Sequence, residues 1–186
     1  MVSVMAQTDE TMLFELQSDG TFRAADGKDY VILDFEGKTA SELYQLFLSS
    51  AVKGYATERQ HTREVENVSF AIEGVTDTLS LKGSGTLVMS HDYQVMFHFR
   101  DGRVKVDAPI LTTCYASLKF MGVVGKLERQ RGSFSEWVKD GSPFLKFKDG
   151  RPANNKYLKN WEIINRKTNE LINCVLEQLN MEEGDW

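Results

Sequence analysis

Histidine and cysteine are scarce in this chain, and their scarcity closes several chemistries. The 186 residues hold three histidines and two cysteines, too few and too scattered for a disulfide-stapled scaffold or a zinc module. Cys114 and Cys174 show no CxxC or Cys/His spacing. Each reads as a small buried residue, and a bond between them requires an oxidising compartment. No apolar run approaches the length of a membrane span. Paired carboxylates in a recognisable motif, a Ser-His-Asp order with a nucleophile elbow and a metal spacing are all missing. Gly83 and Gly85 lie between strand patterns, whereas a phosphate cradle needs strand, glycine loop and helix in that order. No catalytic residue, metal ligand or cofactor is therefore assigned. The one enzymatic alternative is a hydrolase or transferase using Cys114 with His61, His91 or His98.

What is present is alternation. In "DYQVMFHFRDGRVKVDAP", residues 92–109, Asp101-Gly102 is a two-residue hairpin signal of the type I′ kind, with positive φ at both central positions. That turn sets Phe99 against Val104, His98 against Lys105 and Phe97 against Val106. Tyr93, Val95, Phe97, Phe99, Val104 and Val106 then share the core face, while Gln94, Met96, His98, Arg100, Arg103 and Lys105 face solvent. His98 reads as an exposed strand histidine without an orienting partner.

Upstream, Tyr30 to Phe35 is a strand rich in β-branched and aromatic residues. Thr39-Ala40-Ser41-Glu42 fits a capping box. The helix it opens carries Leu43, Leu46, Phe47 and Ser50 on one face and ends near Gly54. Thr57 to Val65, Val68 to Ile72, Leu79 to Leu81 and the stretch "LKGSGTLVM" follow with period two. The paired glycines, two apart and so on one face, mark a bulge or a close approach over the sheet, such as a helix. Ser90-His91-Asp92 reads as a short loop into the hairpin.

Residues 110–153 read as an irregular insertion, with turn signals at Gly132, Asp140-Gly141 and Asp149-Gly150. From Lys156 to Asn180 the residues Tyr157, Trp161, Ile164, Thr168, Leu171, Val175 and Leu179 make one helical stripe, on the order of 36 Å long. Such a helix must lie across the core face of the sheet. The expectation is an α+β domain over 28–180: an antiparallel sheet with one short helix and a long C-terminal helix packed on one face. Residues 1–27 form an N-terminal segment with a short strand, and 181–186 a frayed tail. Within "SVMAQ", Val4 and Ala6 occupy the −3 and −1 positions of a signal-peptidase site, although the charged and apolar regions that precede such a site are missing. The segment reads as a signal-peptide remnant or, equally, as a loose start.

The net charge of −5 is unevenly spread. Residues 103–167 hold fourteen Lys or Arg and six Asp or Glu, and the remainder eight and twenty-one. Such asymmetry can mark a surface for an anionic partner. Within the insertion, Phe120, Trp137, Phe144 and Phe147 lie among basic residues that include Arg129 and Arg131. Phe120, Arg129, Arg131, Trp137, Phe144 and Phe147 are accordingly the candidate interaction surface. The plainer reading is that these aromatics anchor the insertion on the sheet.

With the strand leading into "EGKTASELYQLF" and the hairpin ending "DGRVKVDAP", the chain resembles domain-of-unknown-function family 4468, exported bacterial proteins with a TATA-binding-protein-like (TBP-like) fold. The resemblance covers residues 28–109 and the final helix, and residues 110–153 depart from it. It implies a strand, helix, four-strand, helix order and a place in the periplasm or cell envelope, with the cytoplasm as the alternative, and it supplies no catalytic residues. The functional expectation is a non-enzymatic binding module whose partner is an envelope protein, a glycan or a lipid. The acidic total opposes nucleic acid. The alternative is a helix-grip carrier holding a small apolar ligand between sheet and terminal helix.

Overall fold

The computed structural model describes residues 12–54, 61–76, 78–83, 85–119, 130–140 and 142–184; Val4, Ala6, Phe120 and Arg129 lie outside them. The architecture grows from one strand. β7 (Thr86–Arg100) runs for fifteen residues, about 50 Å at the usual rise, and every odd-numbered residue from Leu87 to Phe99 is buried. Both of its edges are paired. Along one edge lie β6 (Leu79–Lys82) and then β5 (Ser69–Val75), which carries β4 (His61–Val65) outside it. Along the other lie β9 (Ile110–Lys119) with β10 (Gln130–Ser133), and then β8 (Arg103–Asp107) with β3 (Tyr30–Asp34). The result is one antiparallel sheet of eight strands.

The expected hairpin register holds: Phe97 pairs Val106, His98 pairs Lys105 and Phe99 pairs Val104. The turn itself differs, because only Gly102 has positive φ, at +72°. Its tip is shaped by docking. The Asp101 carboxylate accepts from Ala40 N–H at 2.8 Å, and Gly102 N–H donates to the Lys38 carbonyl at 2.7 Å. This fixes the start of α1 (Ala40–Gly54), where the capping box forms as read. Thr39 N–H donates to Glu42 Oε2 at 2.7 Å, and Glu42 N–H donates to Thr39 Oγ1 at 3.3 Å. α1 buries Leu43, Phe47 and Ser50. Phe47 meets Phe99 at 5.6 Å, and Phe70 stacks on Phe97 at 4.9 Å, an aromatic packing that adds to simple area burial.

Three local readings are corrected. Ser90-His91-Asp92 is no loop but the middle of β7, because neighbours on both sides satisfy its backbone: Ser90 pairs Tyr115, His91 pairs Cys114 and Asp92 pairs Val75. Gly83 and Gly85 do not sit inside a strand; they turn the β6–β7 hairpin, with Lys82 opposite Thr86, and Gly83 N–H donates to the Gly85 carbonyl at 2.9 Å. The insertion is largely regular. It supplies β9, β10, α2 (Phe134–Lys139) and a small hairpin of β11 (Phe147–Lys148) and β12 (Arg151–Pro152). β9 carries no turn that ties it to β7, whose paired residues lie well upstream, from Gln94 back to Thr86, so its pairing is not local in the sequence.

α3 spans Asn155–Gly184, so Met181–Gly184 is helical rather than frayed. Ile164, Thr168 and Val175 are buried as expected, and Tyr157, Trp161 and Leu171 are half-buried. The centre of the buried face is rotated toward asparagines that hydropathy does not flag. Asn160, Asn165, Asn169 and Asn173 are all buried, and three of them bind backbone. Asn169 Oδ1 accepts from Leu13 N–H at 2.8 Å and Phe14 N–H at 3.0 Å, and its amide donates to the Phe14 carbonyl at 2.8 Å. Asn165 Oδ1 accepts from Leu16 N–H at 2.7 Å, and Trp161 Nε1 donates to the Leu16 carbonyl at 2.8 Å. Asn160 does the same at the edge of β6, taking Lys82 N–H at 3.0 Å and giving to its carbonyl at 2.8 Å. These amides stand where a neighbouring strand would stand. They hold β1 (Glu15–Leu16), which pairs otherwise with β2 (Phe22–Arg23), against the helix, and Phe14, Leu16 and Phe22 fill the core beneath.

Replacing Asn169 by Ala leaves two N–H groups and a carbonyl of the Leu13–Phe14 segment without partners, which costs about 3 kcal/mol after partial hydration. The urea midpoint of Asn169→Ala should fall accordingly. Arg63→Ala, which breaks an exposed ion pair with Glu73, should change stability by less than about 0.5 kcal/mol.

Candidate functional site

The candidate surface lies where the insertion meets the N-terminal hairpin. Ser133 caps α2, its hydroxyl accepting from Glu136 N–H at 3.5 Å, and Asp140 N–H closes the last turn on the Glu136 carbonyl at 2.9 Å. The helix is thus short and places Lys139 at its C-terminal end, where a cation meets the carbonyl dipoles favourably. Phe134 and Val138 point inward. Beyond it, Asp149 and Gly150, both with positive φ, turn β11 back onto β12. Ser18, Val138, Lys139, Asp140, Lys146 and Phe147 line a cleft of about 330 Å³ between these pieces. Lys146 makes no ion pair among the described residues, and Lys139 makes none in contact, although its charge reaches Asp19 and helps hold that carboxyl low, after the bonds from Thr21. A second, wider groove of about 450 Å³ follows α3 beside Met12, with Lys159, Glu162, Ile163 and Arg166 along it.

The six candidate residues separate. Phe147 is half-buried in the cleft wall. Trp137 is half-buried and stacks on Phe134 at 5.9 Å, on α2 but not lining the cleft. Arg131 sits in β10 opposite Tyr115. Phe120 and Arg129 fall outside the described residues. Phe144 is corrected outright. It is buried with its ring over Gly83, where a Cβ would come within 2.7 Å of it, and Asn160 holds its carbonyl at 2.7 Å. What approaches Gly83 is this phenylalanine, and its burial anchors the insertion on the sheet. Sequence reasoning missed Ser18 and Lys139, which reach the cleft through tertiary folding from segments with no shared pattern.

The groups that carry chemistry are far apart in kind. His98 is on the wet face as expected, but it has a partner: Nε2 lies 2.8 Å from Asp107 Oδ2, and the same carboxylate takes Lys105 Nζ at 2.7 Å. Asp107 lies on the same face of the hairpin, diagonal to His98 past the Lys105 pair, so the register already placed it within reach. His91 is fully buried on the core face. Cys114, opposite it, is also buried, and burial pushes its thiol up to about 11. Cys114 and Cys174 are not joined in a disulfide. Among the described residues no group of three or more His, Cys, Asp or Glu side chains is placed to hold a metal, and no helix is long and apolar enough to cross a membrane.

An antiparallel sheet roofed by helices on one face and left open on the other is the TBP-like arrangement. Two solved structures share it. A TBP-like protein from Parabacteroides distasonis ATCC 8503 matches with a TM-score of 0.50 at 11% identity, over 81% of this chain and 90% of that one. A DUF4468 family protein from Bacteroides ovatus ATCC 8483 matches with a TM-score of 0.50 at 13% identity, over 82% of each. The resemblance read from the two sequence stretches is thus met at the level of the fold. No protein-family profile matches the sequence, and no curated protein matches it.

The thiol shift has a direct readout. Raising Cys114 from an ordinary 9.0 to about 11 lowers the thiolate fraction at neutral pH about a hundredfold. In a Cys174→Ser background, iodoacetamide should label Cys114 far more slowly than a free small thiol. Labelling at or above the free-thiol rate would restore the nucleophile reading.

Proposed function

We propose that this chain is a non-enzymatic binding module, exported to the bacterial cell envelope, and that its contact surface is the cleft between the β1–β2 turn, the end of α2 and β11. The carrying observation is that Lys139 and Lys146, which make no contact ion pair among the described residues, line one concavity with Phe147, against the single carboxylate of Asp140. A cation beside an aromatic face suits a ligand that joins an anionic group to an apolar or sugar-ring body, which favours an anionic glycan or lipid head group over a neutral ligand. The high thiol pKa of Cys114 opposes a catalytic role for it.

The carrier alternative receives no support from the packing. The space between α3, α1 and the sheet is filled by Phe47, Phe97, Phe99, Ile164, Ile172 and Val175, all buried in one cluster. Such a close-packed interior leaves no lumen for a ligand without moving side chains.

The cleft is tested by co-sedimentation with phosphatidylcholine vesicles, with and without phosphatidylglycerol, and by retention on immobilised heparin as an anionic polysaccharide. The wild type should bind at least one anionic matrix, and Lys139→Glu combined with Lys146→Glu should lose most of it while folding normally by circular dichroism. Indifference of the wild type to both matrices, or an unchanged double variant, removes the assignment. Export is tested separately by fractionating the native host: recovery in the envelope fraction is expected, and recovery in the cytoplasm ends that part of the proposal.

A further inference from the structure

Among the described residues, His91 combines full burial with two ring nitrogens that have no hydrogen-bond partner. A neutral imidazole carries one N–H and one bare nitrogen, so both go unanswered in an apolar surrounding, an arrangement native proteins rarely keep. Its backbone, by contrast, is fixed: His91 N–H donates to Thr76 Oγ1 at 2.9 Å, and its carbonyl accepts from Thr76 N–H at 2.7 Å. It stands beside a register shift at which Asp92 of β7 faces both Thr112 and Thr113 of β9, the kind of bulge that re-aims side chains.

Over the ring lies a roof. Phe134, the first residue of α2, meets the imidazole edge-on at 4.7 Å, and Phe134 stacks in turn on Phe22 of β2 at 6.3 Å. The β1–β2 turn rests on α2, since a Cβ on Gly20 would fall 2.6 Å from the Ser135 Cα. Hydrating His91 therefore means lifting α2 and the hairpin together. This unit meets the rest of the backbone at few points: β1 and β2 share two residue pairs outside the main sheet, α2 has six residues, and Asn165, Asn169 and the Trp161 indole bond the Leu13–Leu16 backbone. Burial of Phe14, Leu16, Phe22 and Phe134 holds it down, and its opening is favoured by whatever the uncovered His91 ring gains in binding a proton.

We propose that protonation of His91 releases this roof, so that acidification lifts α2 and the β1–β2 hairpin from the sheet while β5, β7, β8 and α1 keep their packing. The groups facing the ring offer an imidazolium nothing. β9 presents the Cys114 thiol, held neutral by its own burial. α2 presents Phe134, β2 lies behind it with Phe22, and the Thr76 hydroxyl is engaged by backbone. Asp92 points to the other face of the sheet, where Tyr115 donates to it at 3.1 Å, and its charge pulls the ring only weakly upward. Burial dominates and holds the His91 pKa down from 6.5 to about 4. The open state thus binds more protons than the closed one within that window. The closed roof is at full strength above pH 6.5 and weakens as pH falls toward about 4. The proposal does not depend on the ligand reading, although the cleft is built partly from the roof and would be dismantled with it.

The test is amide hydrogen exchange on the full chain, corrected for the intrinsic pH dependence of exchange. Protection of the Leu13, Phe14 and Leu16 amides should fall on the order of a hundredfold between neutral pH and about pH 4, while Val95, Phe97 and Phe99 stay protected. His91→Leu should abolish the fall, and His91→Gln, neutral at every pH, should do the same and decides the matter if the leucine variant does not fold. An equal fall in the folded variants, or simultaneous loss of protection at Val95–Phe99 in the wild type, overturns the proposal.

Discussion

Everything in this molecule answers to the length of β7. Fifteen residues in one strand create an apolar stripe about 50 Å long, and each buried odd position from Leu87 to Phe99 requires a cover. No single helix lies squarely over so long and twisted a surface. The cover is therefore divided. α1 closes the half that holds Phe97 and Phe99, α3 runs along it and over β6, and α2 with the β1–β2 hairpin closes the remaining patch over His91. The parts of the chain least like a regular domain, its beginning and its insertion, are there because the spine is longer than its two principal helices can roof.

Dividing the cover creates a second problem, which is backbone satisfaction. A strand laid against a helix has N–H and C=O groups aimed at a surface that offers none in return, and burying them unpaired costs more than the contacts return. Asparagine solves this because its side-chain amide carries the same donor and acceptor as a peptide. Asn169 presents that pair to Leu13 and Phe14, and one turn earlier Asn165 supplies the acceptor and the Trp161 indole the donor for Leu16. Asn160 presents it to Lys82 and also covers the open edge of β6, which would otherwise be a template for unwanted pairing. One residue type thus does for α3 what hydrogen-bonded neighbours do for β7.

How much of this was legible in the sequence follows from where the information sits. The Phe97–Val106 register could be read because the turn and the alternation are local, and the capping box of α1 because its partners are three residues apart. The Asp101-Gly102 turn kept its register but not its type, since Ala40 and Lys38 bond to its tip from outside. His91 looked like part of a loop because three polar residues in a row suggest one; its burial depends on Phe134, forty-three residues away. The asparagines escaped notice for a related reason: hydropathy assigns them to water, and only the geometry of the bound strand explains their burial. Of two nearby phenylalanines, Phe147 is half-buried in the cleft wall and Phe144 is buried over Gly83. The two are alike in sequence and differ in whether a glycine lies opposite.

The charge asymmetry of the chain can now be placed. On the open face of the sheet several basic side chains are already neighbours of carboxylates. Arg103 meets Asp34 at 3.1 Å, Arg63 meets Glu73 at 3.3 Å, and Lys105 and His98 share Asp107. Such exposed pairs add little to stability, but they set the sign of the field. A cation that must give up a carboxylate to meet a phosphate gains less from releasing counterions than a free one. Part of the positive excess of residues 103–167 lies on the roof, where Lys139 and Lys146 line the cleft and make no contact ion pair among the described residues. The pieces added to cover β7 therefore also carry charge that the paired side chains of the open face do not.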